Sequence, residues 1–182
     1  MTVKLLILDR DGVINHDSDQ YIKSPAEWRP IAGSIEAIAR LGQNGYRIAV
    51  ATNQSGIGRG LFDMATLNAI NDKMMELVFR QGGRIDALFF CPHKADEKCA
   101  CRKPETGMFL EIATRFHADL KNVPCVGDSL KDLQAAEAVG AQPILVLTGK
   151  GRKTKEAGAM PRRTLVFADL TEVSRHLVAV KE

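Results

Sequence analysis

Two aspartates one residue apart, Asp9 and Asp11, close the apolar stretch of residues 3–8, and Gly12 follows them. An apolar run without alternation predicts a strand covered on both faces, as in the interior of a parallel sheet. Ligands of open α/β sheets bind beyond the carboxyl ends of such strands, and both acids fall there. Gly12 lets the backbone turn away sharply. Carboxylates this close repel, so a cation must lie between them or one must hold a proton. Mg2+, which suits carboxylates and phosphate oxygens together, is the expected ion.

Three further stretches carry chemistry. Residues 52–60 read TNQSGIGRG after a second apolar run. The Thr52 hydroxyl and Asn53 amide, followed by glycines, suit hydrogen bonds to a phosphate. Arg59 is expected to meet the far end of a charged substrate. Residues 91–101 then place Cys91, His93, Cys99 and Cys101 in one polar loop. Three thiols and an imidazole predict a closed tetrahedral Zn2+ site, structural because no position is left open. Arg102 and Lys103 follow at once, so the metal would hold two cations where an anion must be met. Arg102 has the fork for a second phosphate. The third stretch is GDSLKD at 127–132, again after an apolar run, while Cys125 reads as a small buried hydrophobe.

Elements alternating strand and helix must position these groups, which predicts one α/β domain over residues 1–182 around a parallel sheet. Residues 14–33 are too long for a simple connection and are expected to be functional. Ser34 is expected to cap a helix that stops near Gly42 to Gly45, before a strand at 46–51. Asp63 should cap a helix over 64–81, with Leu67, Ile70, Met74, Leu77 and Val78 on its inner face. A strand over 85–90 precedes the cysteine loop. Beyond the loop come a helix over 108–116 capped by His117, a strand at 123–126 and a helix to 139. A strand at 144–147, a mobile basic loop at 150–163, a strand at 164–167 and a helix over 169–180 complete the chain. The composition is 45% hydrophobic and 26% charged with net charge +3, too mild for a nucleic-acid or membrane-surface protein. No apolar run is long enough to span a membrane, and since the first strand begins at once no signal peptide is expected. A cytoplasmic monomer acting on a small anion is expected, with its cysteines unbridged.

The order DRDG at 9–12, Thr52, Lys103 and GDSxxD at 127–132, each at a strand end, resembles the haloacid dehalogenase (HAD) superfamily over residues 3–147. The resemblance implies a Rossmannoid three-layer sandwich with a mostly parallel sheet. It implies Asp9 as nucleophile, forming an aspartyl-phosphate, and Asp11 as general acid and base. Thr52 and Lys103 would grip the phosphoryl oxygens. Mg2+ would be held by Asp9, the Asp11 carbonyl and Asp128, while Asp132 supports Lys103 or the metal shell. Within the superfamily, DRDGVIN, TNQSGIGRG and the cysteine loop running into CRKP are similar to a small capless group. These are the D-glycero-D-manno-heptose-1,7-bisphosphate 7-phosphatases, kin of the histidinol-phosphate phosphatases. That implies removal of the 7-phosphate in heptose nucleotide biosynthesis for lipopolysaccharide, in a pocket of loops 14–30, 53–62 and 91–103. Asn53, Arg59 and Arg102 would bind substrate. Ser129 stands where some of the group carry lysine. Two alternatives stay open: histidinol phosphate, whose amine would seek Asp17 and Asp19, and an inactive zinc-stabilised binding protein. The second predicts loss of a motif residue, yet Asp9, Asp11, Lys103 and Asp128 are all present.

Overall fold

The computed structural model describes residues 3–179. Six strands form one sheet: β1 (Lys4–Leu8), β2 (Tyr46–Asn53), β3 (Ala87–Cys91), β4 (Pro124–Gly127), β5 (Gln142–Val146) and β6 (Leu165–Phe167). Their order is β3-β2-β1-β4-β5-β6, and every pairing is parallel. The strand order therefore reverses between β1 and β4, and the crevice at their carboxyl ends is where ligands of such sheets bind. Asp9 follows β1 and Asp128 follows β4, so the topology brings two motifs separated by more than a hundred residues to one point.

Helices α1 (Ser34–Gln43), α3 (Met64–Arg80) and α7 (Leu170–Ala179) cover one face; α4 (Gly107–Phe116) and α5 (Leu130–Ala138) cover the other. The alternation of side chains along a strand divides β1 accordingly. Leu6 and Leu8 pack with Ile38, Ile70 and Val173, while Leu5 and Ile7 pack with Phe109, Ile112 and Ala136. Both faces of the strand are dry, which explains why its sequence shows no polar alternation. The three-layer sandwich implied by the resemblance is the observed one.

Several local expectations are corrected. Ser34 opens α1 but does not cap it: its hydroxyl donates to the Ile14 carbonyl at 2.6 Å, and Gly33, at φ 81°, takes the cap position. Burying the serine against the preceding loop uses the oxygen that a cap would need. Asp63 does cap α3, accepting from the Thr66 amide at 2.8 Å. β2 runs two residues further than expected, to Asn53, and β3 starts two later, at Ala87. A short helix, α2 (Ser55–Gly58), lies within the glycine-rich loop. The basic stretch expected to be a mobile loop contains helix α6 (Gly151–Ala157). It lacks an apolar stripe, but Arg, Lys, Glu and Ala are good helix formers and Gly158, at φ 71°, closes it in the left-handed region. His117 is the exposed left-handed cap of α4. Of the last expected helix, residue 180 lies outside the described residues.

Residues 14–33 have no regular element, yet they are anchored. Ile14, Ile22 and Trp28 belong to the core, and Trp28 is fully buried. Lys73 of α3 donates to the carbonyls of Pro25 (2.6 Å) and Trp28 (2.8 Å), tying the loop to the helix. Trp28→Ala is expected to cost about 3–5 kcal/mol, because a large side chain leaves a cavity that this loop cannot close. Urea unfolding monitored by far-ultraviolet circular dichroism would measure it, and a loss below about 1 kcal/mol would show that the loop does not depend on Trp28.

Candidate active site

A cavity of about 460 Å³ opens at the carboxyl end of the sheet, lined among others by Asp9, Asp11, Thr52, Asn53, Lys103 and Asp128. Lys103 is its centre. The side chain is 3% exposed, and Nζ reaches Asp132 Oδ1 at 2.6 Å, Asp9 Oδ1 at 3.0 Å and the Ala51 carbonyl at 2.6 Å. All three ammonium donors are thus in use. Burial alone would lower the lysine's pKa, but the carboxylates of Asp132 and Asp9 outweigh it and raise it. Its backbone is held too. Asn53 accepts from the Lys103 amide and donates to the Lys103 carbonyl, both at 3.1 Å. Asn53 was expected to bind substrate. It lines the cavity, but its amide is spent on placing Lys103.

The acids divide into two environments. Asp9, Asp128 and Asp132 each offer an oxygen within 4.8 Å of the others. Asp132 is the supporting member. Its Oδ2 accepts from the Ser129 amide (3.0 Å) and hydroxyl (2.6 Å), closing a capping box on α5, while Oδ1 holds Lys103. That leaves Asp9 and Asp128 facing the cavity with less compensation. Burial raises the pKa of Asp9, against the pull of Lys103. Burial and then the charge of Asp132 push Asp128 up to about 7. Crowded, under-compensated oxygens are what a hard divalent cation fits, and the donor set is right for Mg2+.

Asp11 is different. Its carboxylate accepts from Arg10 Nε (3.2 Å) and Nη2 (3.1 Å), Asn15 Nδ2 (2.8 Å) and Gln54 Nε2 (2.7 Å). Burial would raise its pKa, but the Arg10 guanidinium and these hydrogen bonds hold it below the usual carboxylate range. Arg10 is itself fully buried and anchored on Asn71 of α3. Neither Arg10 nor Gln54 was expected at the site. Gln54 also donates to the buried Thr52 hydroxyl at 2.9 Å, so one amide orients two expected site residues. Its position two residues after Thr52, on the same side of an extended chain, was the available signal.

Gly12 and Gly149 flank Asp128. Each has positive φ, 84° and 53°, and a side chain at either would occupy the place of Asp128 Oδ2. Lys150, also not expected, donates its backbone amide to that oxygen at 2.7 Å, while its side chain pairs with Asp17 (3.1 Å) and Asp19 (3.5 Å) across the cavity mouth. Arg59 lies apart. It is the exposed cap of α2 and does not line the cavity, since Gly58 pins the end of that turn to the Pro92 carbonyl at 3.0 Å.

The raised pKa of Asp128 makes stability depend on pH. The folded carboxyl binds its proton more tightly than the ordinary value of 3.8 allows in the unfolded chain. Its contribution to the metal-free protein is therefore present below that value and lost as pH rises through about 7. Thermal unfolding without Mg2+ is expected to show Tm falling from about pH 5 to about pH 8. Asp128→Asn should flatten that fall, and added Mg2+ should stabilise more at the higher pH. An unchanged slope in the variant would assign the fall to other groups.

The second cluster is closed. Cys91 Sγ lies 3.5 Å from His93 Nδ1 and 3.5 Å from Cys99 Sγ; Cys101 Sγ lies 3.3 Å from His93 Nδ1 and 3.5 Å from Cys99 Sγ. A zinc tetrahedron with Zn–S bonds of about 2.3 Å has edges of about 3.8 Å, so the four donors nearly describe one. Burial pushes the Cys91 thiol up to about 12 in the protein alone, a conflict that a coordinated cation removes. The residues fit zinc.

The profile of the HAD-hydrolase-like family matches residues 100–173. The D-glycero-β-D-manno-heptose-1,7-bisphosphate 7-phosphatase of Bordetella bronchiseptica is 56% identical over 176 residues, covering 97% of this chain and 98% of the relative. The enzyme of the same name from Pseudomonas putida is 54% identical, covering 97% and 100%. The crystal structure of the D,D-heptose 1,7-bisphosphate phosphatase from B. bronchiseptica, complexed with magnesium and phosphate, superimposes with a TM-score of 0.97 at 55% identity, covering 98% of this chain and 99% of that one. The carboxylate crevice, its buried lysine and these likenesses together show that the chain belongs to the heptose-1,7-bisphosphate 7-phosphatase family of HAD-type phosphatases.

Proposed function

We propose that the chain hydrolyses the 7-phosphate of D-glycero-β-D-manno-heptose 1,7-bisphosphate, giving the 1-phosphate and inorganic phosphate, through an aspartyl-phosphate on Asp9. The observation that carries this reading is the contact of buried Lys103 with Asp9 in the crevice that also holds Asp128 and Thr52. An Asp9 oxygen attacks phosphorus, and the bond from phosphorus to the sugar oxygen breaks. Asp11, in its protonated form, gives that proton to the leaving oxygen. The donors around Asp11 favour its anion, the form that acts as base in the second step. The resulting carboxylate then takes a proton from water, whose oxygen attacks the aspartyl-phosphate and releases phosphate. Lys103 and Thr52 face the phosphoryl oxygens as their charge shifts. Asp9, Asp128 and the Asp11 carbonyl would hold Mg2+, which when bound supplies charge that offsets the crowded anions.

Histidinol phosphate fits less well. Its amine would meet Asp17 and Asp19, and Lys150 already occupies them. Phosphate release with Mg2+ on the α and β heptose bisphosphates and histidinol phosphate tests the proposal. A dominant kcat/KM on the β anomer supports it, and preference for histidinol phosphate overturns it. We also propose that the chain works as one domain and as a monomer; among the described residues no helix is long and apolar enough to cross a membrane.

Zn2+ at Cys91, His93, Cys99 and Cys101 would be structural. Its loss is expected to reach the active site, because Arg102 and Lys103 follow the last ligand directly and Arg102 donates to the His93 carbonyl at 3.2 Å. Cys101→Ser is expected to lower bound zinc below one per chain and Tm by roughly 10 °C. Elemental analysis with calorimetry checks both, and an unchanged Tm would mean that the cluster adds nothing to stability.

A further inference from the structure

The mouth of the active-site cavity carries charges that the reaction at Asp9 does not use. Six carboxylates line the cavity. Four have partners deeper in: Asp9 and Asp132 share Lys103, Arg10 holds Asp11, and Asp128 accepts from the Lys150 amide. Asp17 and Asp19 stand at the mouth, and among the described residues their only ion pairs are with the Lys150 ammonium, at 3.1 Å and 3.5 Å. Resting on the proposed bisphosphate substrate, we infer that Lys150 is a specificity-determining residue. By neutralising Asp17 and Asp19 it lets anionic esters enter and turns away phosphate esters that carry an ammonium.

The bridge joins two fixed points. The Lys150 amide donates to Asp128 Oδ2 at 2.7 Å. Its carbonyl accepts from the Thr154 amide at 3.0 Å, and the Thr154 hydroxyl donates to the Asp128 carbonyl at 2.9 Å. The root of the lysine is thus tied to the end of β4, and any side chain at position 150 keeps those backbone bonds. Across the mouth, Asp17 Oδ1 accepts from the Ser18 amide at 2.8 Å, which leaves Oδ2 for Lys150. The same three charged residues line a neighbouring cavity of about 470 Å³, so the bridge is a wall between the two. Lys153 lines that second cavity as well, but it is exposed and makes no ion pair among the described residues.

The Lys150 side chain is 53% exposed and that of Asp19 is 89% exposed. Pairs this open contribute little to stability. Their charge still acts on whatever enters, because a cleft with low-dielectric walls focuses the field inside it. Without the ammonium the mouth would hold two uncompensated carboxylates. They would repel an incoming phosphate dianion and pair with an ammonium. Lys150 therefore acts through the two acids rather than by touching the substrate.

The experiment measures kcat and KM with Mg2+ for heptose 1,7-bisphosphate and for histidinol phosphate, which carries the ammonium. Lys150→Met should shift the ratio of the two kcat/KM values toward histidinol phosphate by about tenfold or more, mainly through opposite changes in KM. The shift should shrink in about 1 M salt, where charges across the mouth are screened. Lys150→Arg should keep the wild-type ratio. Adding Asp17→Asn and Asp19→Asn to Lys150→Met should bring the bisphosphate KM back to within about threefold of wild type, which loss of a direct contact to the substrate would not allow. The lysine is exposed, so folding should survive, and Lys150→Gln is the second neutral variant if Met does not fold. Histidinol phosphate turnover that does not rise in either neutral variant overturns the inference alone. So does a triple variant as poor on the bisphosphate as Lys150→Met. A wild type that prefers histidinol phosphate overturns the bisphosphate reading, and the inference with it.

Discussion

Asp9→Asn is expected to abolish turnover, lowering kcat by on the order of 10⁴-fold or more, while the protein stays folded. The amide has the shape of the carboxylate but cannot form the covalent bond to phosphorus. Stability should hold or rise, because burial is what raises the Asp9 pKa and a neutral amide does not bear that cost. Lys103 loses one partner and keeps two, Asp132 and the Ala51 carbonyl. A second signature follows from the position of Asp9 beside Asp128. The variant should be stabilised less by Mg2+ than the wild type, since one of two facing carboxylates is gone. Single-turnover phosphate release and thermal unfolding with and without Mg2+ measure both effects. Residual activity above about one per cent of wild type would remove Asp9 from the role of nucleophile.

Lys103→Met is expected to fail differently, losing both activity and stability. About 3–5 kcal/mol should go from stability, since Asp9 and Asp132 are left buried with no cation between them. The kcat should fall by roughly 10³-fold through loss of the ammonium beside the phosphoryl oxygens. The two effects separate in a double variant. Adding Asp132→Asn to Lys103→Met removes one of the stranded charges, so part of the stability should return while activity stays lost. Should activity return along with stability, Lys103 would be a structural cation rather than a group acting on the phosphoryl transfer. Denaturant unfolding in parallel with steady-state kinetics on all four proteins of the cycle decides between them.

The difference between these two variants reflects how the site is built. Asp9 is an under-compensated charge, held in place by neighbours that do not need it. Lys103 is the neighbour that everything else needs, bonded to β1 through Asp9, to the carbonyl of Ala51 in β2, and to α5 through Asp132. Asn53 then holds its backbone from outside.

The sequence by itself determined the strands, because each is a short apolar run and both faces of a parallel sheet are dry. It located the candidate site as well, since polar residues appear where those runs end, at Asp9, Thr52 and Asp128, and all three line one cavity. The Cys/His cluster was legible because all four of its members lie within eleven residues. Only the tertiary structure decided which charges face one another. Lys103 meets Asp9 from 94 positions away and Thr148 donates to the Gly12 carbonyl from 136 away, separations that no local pattern encodes. The same holds for the corrections. Arg59 reads like Arg102 in sequence, yet the turn of α2 places it outside the cavity while the bond to the His93 carbonyl keeps Arg102 on its rim. Lys150 and Lys131 look like solvent charges until the sheet order brings the loops after β1, β4 and β5 together at one edge. A side chain's hydrophobicity acts over its own turn or strand, but the role of a charge depends on its partner, and the partner is supplied by the fold.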